Sequence, residues 1–374
     1  MGNDSIEKLT MPKWGLSMTH GKVVQWLVEE GASVSPGAEM VEVETEKITG
    51  AVESLTAGVV RRLVAGSGDE IPVGGLLAVI AAEDLPQAQI DQFIEDFVPE
   101  EVAESDESAD PEPEYAEVGT RRLRYLQQGD GGCPALLLHG FTGNLNNWLF
   151  NHSTLASDRT VFALDLPGHG QSSKDVGNGS LEVLIGAAAE WCESVGLDSV
   201  HLIGHSMGGA IALGVALLVP DKVRSCTLIA SAGLGSEINA EYISGVVSAD
   251  RRKQLKPHLE KLFADAGQVT RQIVDDMLKF KRVDGVQDAL TLLASRFIKD
   301  GQQARSFRDQ LGQMEVPLQV IWGAEDQIIP VAHAADLSET ARVQIIESCG
   351  HMVQMEAAGE VNRLIESFLS EVDG

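Results

Sequence analysis

The chain has 374 residues, 44% of them hydrophobic, and a formal net charge of −28. This length predicts two or three domains, and the negative charge argues against nucleic-acid binding because phosphates would be repelled. No apolar run is long enough to span a membrane, and the polar start lacks a signal-peptide core, so we expect a cytoplasmic protein. No C-x-x-C pair occurs, so we expect reduced thiols, with neither disulfides nor a metal site, at Cys133, Cys192, Cys226 and Cys349.

The first segment, residues 7–82, contains an internal repeat with a shift of 37 positions. Each copy is a β-rich run with glycines at its turns, so the two copies predict a small all-β sandwich or flattened barrel. The matched pairs are Gly21 with Gly58, Val23 with Val60, Trp26 with Leu63, Gly31 with Gly68, Val34 with Ile71, Gly37 with Gly74, and Met40 with Leu77.

A lysine lies at the end of an alternating run between the two copies. The alternation in the run Val-Glu-Val-Glu-Thr-Glu-Lys-Ile, residues 41–48, indicates a strand that enters a hairpin near Glu46-Lys47. A single lysine at a hairpin tip is usually only a surface charge. Its surroundings, however, include Met11-Pro12-Lys13-Trp14-Gly15-Leu16-Ser17-Met18, Glu30-Gly31, Pro36-Gly37 and Glu44-Thr45-Glu46-Lys47. These motifs resemble the lipoyl domains of 2-oxo acid dehydrogenase complexes, and the resemblance implies that lipoic acid is amide-linked to Lys47.

The next segment, residues 83–115, is predicted to be an acidic linker. From Glu83 to Glu117 the chain has 14 Asp or Glu and no Lys or Arg. Like charges repel and extend such a segment. One part has the spacing of a short amphipathic helix, which could be transient in a solvated tether or could dock on another surface. Its apolar residues are Ile90, Phe93, Ile94 and Phe97.

The remaining segment, residues 116–374, alternates strand-like runs with helix-like stretches. This order predicts a mostly parallel sheet covered on both faces. Residues 236–308 interrupt the alternation and are helix-like and rich in basic residues, so we expect a helical cap over the carboxyl edge of the sheet. The strand-like runs are Ala135–His139, Val161–Leu164, Val200–Ile203, Cys226–Ala230, Leu318–Trp322 and Val343–Ile346.

A serine lies between one of these strands and an alanine-rich helix. The motif Gly204-His205-Ser206-Met207-Gly208 has the strand–turn–helix context of a nucleophile elbow, in which glycines allow a sharp turn. Ser206 is therefore the predicted nucleophile. The alternative, a tight turn with a capping serine, is disfavoured by the flanking strand and helix.

Two further residues follow in the order that a serine triad of this kind requires. Asp326 comes after the strand that ends at Trp322, with Glu325 as the rival acid, and His351 follows the last strand on a loop. In this arrangement His351 is the base and Asp326 orients its imidazole. The backbone N–H groups of Phe141 and Met207 are the predicted oxyanion hole. Packing or local hydrogen bonding is expected of the neighbouring His169, His205 and Cys349.

From Tyr115 to Gly374 these motifs resemble the α/β-hydrolase superfamily, and the fusion to a lipoyl domain resembles the acetyltransferase components of bacterial acetoin dehydrogenase complexes. The His-x-x-x-Asp-Gly motif of ordinary lipoyl-dependent acyltransferases is absent. The resemblance implies that acetyl passes from lipoyl-Lys47 through Ser206 to coenzyme A. It also implies a homo-oligomer, and as partners a thiamine-diphosphate-dependent acetoin dehydrogenase component, a lipoamide dehydrogenase and a lipoate ligase or transferase.

Three questions stay open at this point: the function of the catalytic domain, the role of the linker helix and the role of the cap bases. The domain could release acetate from a thioester or ester, with water as the acceptor, or it could be a non-catalytic carrier and assembly subunit. The helix-like segment of the linker could replace the subunit-binding domain of such complexes. Four bases of the cap could contact coenzyme A phosphates or could simply form a solvated helix face: Arg251, Arg252, Lys253 and Lys256.

Overall fold

The computed structural model describes residues 6–12, 14, 18–45, 49–54, 56–98 and 111–374. The chain divides into two compact units, Met1–Pro111 and Glu112–Gly374. In the described ranges, no helix is both long and apolar enough to cross a bilayer.

The N-terminal unit is a flattened sandwich of two antiparallel four-stranded sheets, with the orders β1-β8-β6-β3 and β5-β4-β2-β7. Fully buried apolar side chains, among them Val23, Val43 and Val60, fill the space between the sheets. The strands are β1 Glu7–Thr10, β2 His20–Trp26, β3 Ser33–Val34, β4 Glu39–Glu44, β5 Thr49–Glu53, β6 Gly58–Leu63, β7 Glu70–Pro72 and β8 Leu76–Ala81.

The internal repeat of the sequence relates one sheet to the other. A shift of 37 residues places β4 on β8 and β2 on β6, and each pair has one member in each sheet. The turn glycines repeat as well, because Gly31 and Gly68 have φ values of 91° and 96° and Gly37 and Gly74 have 86° and 79°. A side chain is disfavoured at such angles. The predicted β sandwich with glycine turns is therefore confirmed.

One helix of the predicted linker packs on the N-terminal unit. This helix, α1 Gln87–Asp96, buries Ile90 completely against the outer side of β8, where Val79 is also fully buried. Arg61 donates to the carbonyl oxygens of Ala82 and Leu85 and so fastens the chain that leads into the helix. The apolar face of α1 is thus partly covered by its own unit, with Ile90 fully buried and Phe93, Ile94 and Phe97 partly exposed.

The C-terminal unit is built on an eight-stranded sheet of order β18-β17-β14-β13-β11-β12-β10-β9. The six strands from β18 to β12 are parallel, whereas β10 and β9 are antiparallel to their neighbours. A small hairpin is separate from it and consists of β15 Ile298–Lys299 and β16 Gln302–Gln303. The large sheet consists of β9 Glu114–Val118, β10 Arg121–Gln128, β11 Ala135–Leu138, β12 Val161–Leu164, β13 Val200–His205, β14 Val223–Ile229, β17 Leu318–Gly323 and β18 Arg342–Ile346.

Helices cover the sheet, and four of them (α5–α8) are inserted between β14 and β17, in the segment predicted to be a cap. The α-helices are α2 His152–Leu155, α3 Leu181–Ser194, α4 Met207–Leu218, α5 Ala240–Ser248, α6 Arg252–Leu259, α7 Arg271–Lys281, α8 Val286–Phe297, α9 Val353–Glu356 and α10 Ala358–Asp373. Short 3-10 helices span Leu145–Trp148, Pro220–Lys222, Glu260–Leu262, Ala266–Gln268, Arg308–Gln313 and Val331–Ala334.

Candidate active site

Ser206 forms the sharp turn between β13 and α4. Its φ of 54° and ψ of −119° lie outside the ordinary helical and extended regions, so the neighbouring packing must impose this conformation. A Cβ on Gly204 would lie 2.3 Å from the carbonyl oxygen of Gly208, and a Cβ on Gly208 would lie 2.0 Å from the carbonyl oxygen of Leu138. The glycines predicted for the elbow are thus required by backbone contacts on both sides of the serine.

Asp326 and His351 are brought together by the loops that follow β17 and β18. His351 Nδ1 lies 2.8 Å from Asp326 Oδ2, and the carboxylate side chain is fully buried. The other carboxylate oxygen accepts backbone N–H groups of Ile328 at 2.8 Å and Ile329 at 3.0 Å. The rival acid, Glu325, is exposed and contributes its backbone N–H to Cys349. Asp326 is therefore the acid that contacts the histidine.

The histidine loop, residues 347–352 between β18 and α9, is hydrogen-bonded directly to the turn that carries Ser206. His205 Nε2 donates to the carbonyl oxygen of His351 at 2.9 Å, and the two rings lie 4.8 Å apart. Burial holds the pKa of His205 well below its usual value, so the imidazole is neutral. The local hydrogen-bonding role predicted for His205 thus links His351 to Ser206, the residue that follows His205 in the chain.

The loop after β11 lies against the elbow at the predicted oxyanion hole. A Cβ on Gly140 would lie 3.0 Å from Ser206 Cβ. In the described part of the chain, neither Phe141 N–H nor Met207 N–H donates to another residue. His139 fixes this loop, since its Nδ1 donates to Gly140 O at 2.8 Å and its Nε2 accepts the N–H of Leu166 at 3.0 Å. Burial lowers the pKa of His139 to about 4, which keeps this neutral tautomer at pH 7.

Glu356 is a further acidic residue near the triad that the sequence pattern did not indicate. It lies at the end of α9, and its two carboxylate oxygens accept the N–H groups of Ala264, from the cap, and Gly350, from the histidine loop. Burial raises the pKa of Glu356 to about 7. The one sequence signal that could have indicated a role for Glu356 is its position as the only acidic residue in the otherwise uncharged run from Val353 to Ala358.

The bases of the cap are largely paired with neighbouring acids. Arg251 lies 3.6 Å from Asp250, and Lys256 lies 3.4 Å from Glu260. Arg252 forms a bidentate ion pair with Asp275. These pairs reduce the positive charge that coenzyme A phosphates would meet. This arrangement favours the solvated helix face over the phosphate site.

One group of potential metal ligands occurs in the described residues, at the opposite end of the sheet. The ligating atoms of Cys133, His201 and Asp373 lie within 4.8 Å of one another. The Asp373 carboxylate is already 3.0 Å from Arg159 and 3.7 Å from Arg224. A dication would face two guanidinium groups there, so we assign this group to an ion-pair network.

Lys47 lies outside the described residues. The strands on either side of it are described, and β4 and β5 pair as far as Glu44 and Thr49. The predicted lipoyl lysine is therefore in the four-residue connection between two paired strand ends.

Comparisons with known proteins match both units. The family model described as "Biotin-requiring enzyme" matches residues 7–80, and the model described as "alpha/beta hydrolase fold" matches residues 134–358. A meta-cleavage product hydrolase from Pseudomonas fluorescens IP01 has a similar fold, with a TM-score of 0.63 and 21% identity, covering 69% of this chain and 97% of that one.

Two curated relatives match along nearly the whole chain. The dihydrolipoyllysine-residue acetyltransferase component of the acetoin cleaving system from Pseudomonas putida is 48% identical over 97% of this chain and 98% of its own length. The protein with the same description from Cupriavidus necator is 42% identical over 98% of each. The chain thus belongs to the family of dihydrolipoyllysine-residue acetyltransferase components of acetoin cleaving systems.

Proposed function

We propose that this chain moves an acetyl group from a lipoyl group on Lys47 to coenzyme A, with Ser206 as the intermediate acceptor. The observation that supports it most is the fully buried Asp326 carboxylate bonded to His351, whose loop is in turn bonded to the serine elbow. This arrangement fits acyl transfer through a serine nucleophile.

The N-terminal unit is of the lipoyl type, which supports a covalently attached lipoic acid. The connection between β4 and β5 offers a lysine amine between strand ends that are paired and therefore fixed. Glu44, the last residue of β4 before this connection, is exposed. When attached to Lys47, lipoic acid would supply a thiol that holds an acyl group as a thioester.

In the first half-reaction, Ser206 Oγ attacks the carbonyl carbon of a thioester substrate. His351 Nε2 takes the serine proton, because its Nδ1 is held as a donor to Asp326. The N–H groups of Phe141 and Met207 stabilise the oxyanion of the tetrahedral intermediate, and the N-terminus of α4 adds a favourable dipole. His351 then gives the proton to the leaving thiolate, which leaves an acetyl ester on Ser206.

The second half-reaction uses the same groups in reverse. His351 takes the proton of the coenzyme A thiol, and the thiolate sulfur attacks the acetyl ester. The C–O bond to Ser206 breaks, the serine alkoxide recovers its proton from His351, and acetyl-coenzyme A leaves. Water must be excluded from the ester for transfer to exceed hydrolysis.

The proposed partners follow from the same cycle. A thiamine-diphosphate-dependent component would load the lipoyl group with acetyl from acetoin, and a lipoamide dehydrogenase would reoxidise it. A lipoate ligase or transferase would modify Lys47. We place this cycle in the cytoplasm, on a homo-oligomeric assembly.

One assay separates this function from its alternatives. Full-length protein is supplied with acetyl-dihydrolipoamide, with and without coenzyme A, and both acetyl-coenzyme A and acetate are quantified. The proposal predicts acetyl-coenzyme A as the main product and little acetate while coenzyme A is present. Acetate at the same rate with and without coenzyme A would identify a hydrolase, and neither product would identify a non-catalytic carrier.

A further inference from the structure

The cap and the catalytic histidine loop meet at one small contact. A turn of the cap, Leu262–Ala264, runs past Gly350, and Met352 N–H donates to Leu262 O at 3.0 Å. A Cβ on Gly350 would lie 2.7 Å from Ala264 N and 2.8 Å from the carbonyl carbon of Phe263. The two backbones are therefore in van der Waals contact at the residue that precedes His351.

Glu356 joins the two sides of this contact. Its Oε1 accepts Ala264 N–H at 2.7 Å and its Oε2 accepts Gly350 N–H at 2.8 Å. The carboxylate thus satisfies one backbone donor of the cap and one of the histidine loop. Two such hydrogen bonds from a single charged group hold both donors in one geometry.

Glu356 interacts electrostatically with two residues of the triad, His351 and Asp326. The titratable groups that act on it are His351 and Asp326, and the remaining contacts are the two N–H groups. Burial raises the pKa of Glu356 to about 7, although both N–H groups and His351 favour the carboxylate. The charge on Glu356 therefore changes within the pH range in which a histidine base operates.

We propose that Glu356 is a positioning residue that fastens the cap turn Leu262–Ala264 to the histidine loop, so that the seating of the cap and the placement of His351 are set together. The inference rests on the proposed role of His351 as the base for Ser206. Its consequence is that the base is correctly placed when the cap is closed over the site. Small displacements of a catalytic group can cost about 100-fold in rate.

The test compares Glu356→Gln with a control, Glu360→Gln, which makes the same substitution four residues later, in the first turn of α10. Glutamine keeps one carbonyl oxygen and cannot accept from both N–H groups. We expect acetyl transfer from acetyl-dihydrolipoamide by Glu356→Gln to fall about 10- to 100-fold, mainly in kcat. Near pH 7 about half of the molecules carry the Glu356 carboxylate, which favours the imidazolium form of His351, so its removal should also move the acid limb of the pH profile to lower pH, by less than a fully ionised group would.

Hydrogen exchange supplies a readout that does not depend on activity. In Glu356→Gln, amides of both residues 262–264 and residues 349–352 should exchange faster than in wild type, whereas Glu360→Gln should change neither. A Glu356→Gln protein with the wild-type rate and pH profile would overturn the proposal. So would faster exchange in one of the two segments alone, because a fastening residue must release both.

Two further arms keep the test decisive. If Glu356→Gln does not fold, Glu356→Asp, which keeps the charge but has a shorter reach, should show the same paired increase in exchange with an unmoved acid limb. Ser206→Ala is assayed in parallel. Wild-type activity in Ser206→Ala would contradict the proposed function. Activity that is lost in Ser206→Ala but unchanged in Glu356→Gln would contradict only this inference.

Discussion

The indole Nε1 of Trp322 lies 3.0 Å from Oδ2 of Asp326, the carboxylate oxygen that also accepts the hydrogen bond from His351. Trp322 is fully buried at the end of β17, and the same N–H also points to the carbonyl oxygen of Ile329 at 3.1 Å. The tryptophan therefore helps to hold the acid in the orientation that the histidine requires.

Replacing Trp322 with phenylalanine should lower Ser206-dependent acetyl transfer about tenfold. A hydrogen bond to a charged group contributes about 1.5–3 kcal/mol, and its loss leaves Asp326 with its other donors. A less stabilised carboxylate favours the imidazolium more strongly, so the acid limb of kcat/KM should move to higher pH. The matched control is Trp191→Phe, because Trp191 Nε1 is buried without a hydrogen-bond partner in the described structure. An unshifted pH profile for Trp322→Phe would count against this role.

Alanine substitutions at Gly208 in α4 and at Gly186 in α3 should change the stability of the protein in opposite directions. Gly208→Ala should destabilise the C-terminal unit by more than about 2 kcal/mol, since the new Cβ would lie 2.0 Å from the carbonyl oxygen of Leu138. Gly186→Ala in α3 meets no atom within 4 Å and should stabilise by up to about 1 kcal/mol. Chemical denaturation of the two variants measures both changes. Equal effects would show that the elbow has room to relax.

Acid should destabilise the protein partly through a buried histidine. Burial lowers the pKa of His152 from 6.5 to about 4, so the folded state stays neutral where the unfolded state binds a proton. Stability from this group is therefore complete above pH 6.5 and is lost as the pH falls towards 4, at about 1.4 kcal/mol for each unit. His152→Gln should flatten the decline in unfolding free energy between pH 6.5 and 4.5. His20→Gln, at an exposed position, should leave the slope unchanged.

Two inactive variants should complement each other. A Lys47→Arg chain cannot form the lipoyl amide, so it should fail in acetoin-dependent turnover yet still process free acetyl-dihydrolipoamide. A Ser206→Ala chain should load its lipoyl group but not unload it. Mixed in one assembly with the partner enzymes, the two should restore part of the acetoin-dependent acetyl-coenzyme A formation. Full acetoin-dependent turnover by Lys47→Arg alone, with no other lipoyl source, would rule out the carrier role.

Much of the fold was predictable because the strongest signals are local. The repeat predicted two β halves, and the alternation of strands and helices predicted the parallel sheet. The antiparallel edge was not predicted, because the polar residues of β9 merge with the acidic segment before them and β9 begins inside the predicted linker at Glu114. The docking of α1 depends on apolar residues such as Val79 on the outer side of β8, a side that sequence alone does not identify.

Some residues of the candidate site are likewise indicated by local sequence signals, whereas others depend on tertiary contacts. Ser206, Asp326 and His351 lie at strand ends, where spacing and order indicate them. Glu356 and Trp322 act through hydrogen bonds whose meaning depends on the tertiary structure. Glu356 contacts Ala264, which lies 92 residues earlier in the chain, and no periodic pattern connects two such positions.

In the proposed cycle, Ser206 receives the acetyl group before coenzyme A does. The most direct measurement incubates full-length protein with acetyl-dihydrolipoamide in the absence of coenzyme A and maps the acetylated residue by mass spectrometry. If Ser206 is the intermediate acceptor, an acetyl ester forms on Ser206 and disappears when coenzyme A is added, with an equal amount of acetyl-coenzyme A formed. Acetyl-coenzyme A formation at the wild-type rate by Ser206→Ala, with no acetyl ester on Ser206 in the wild type, would contradict this role of Ser206.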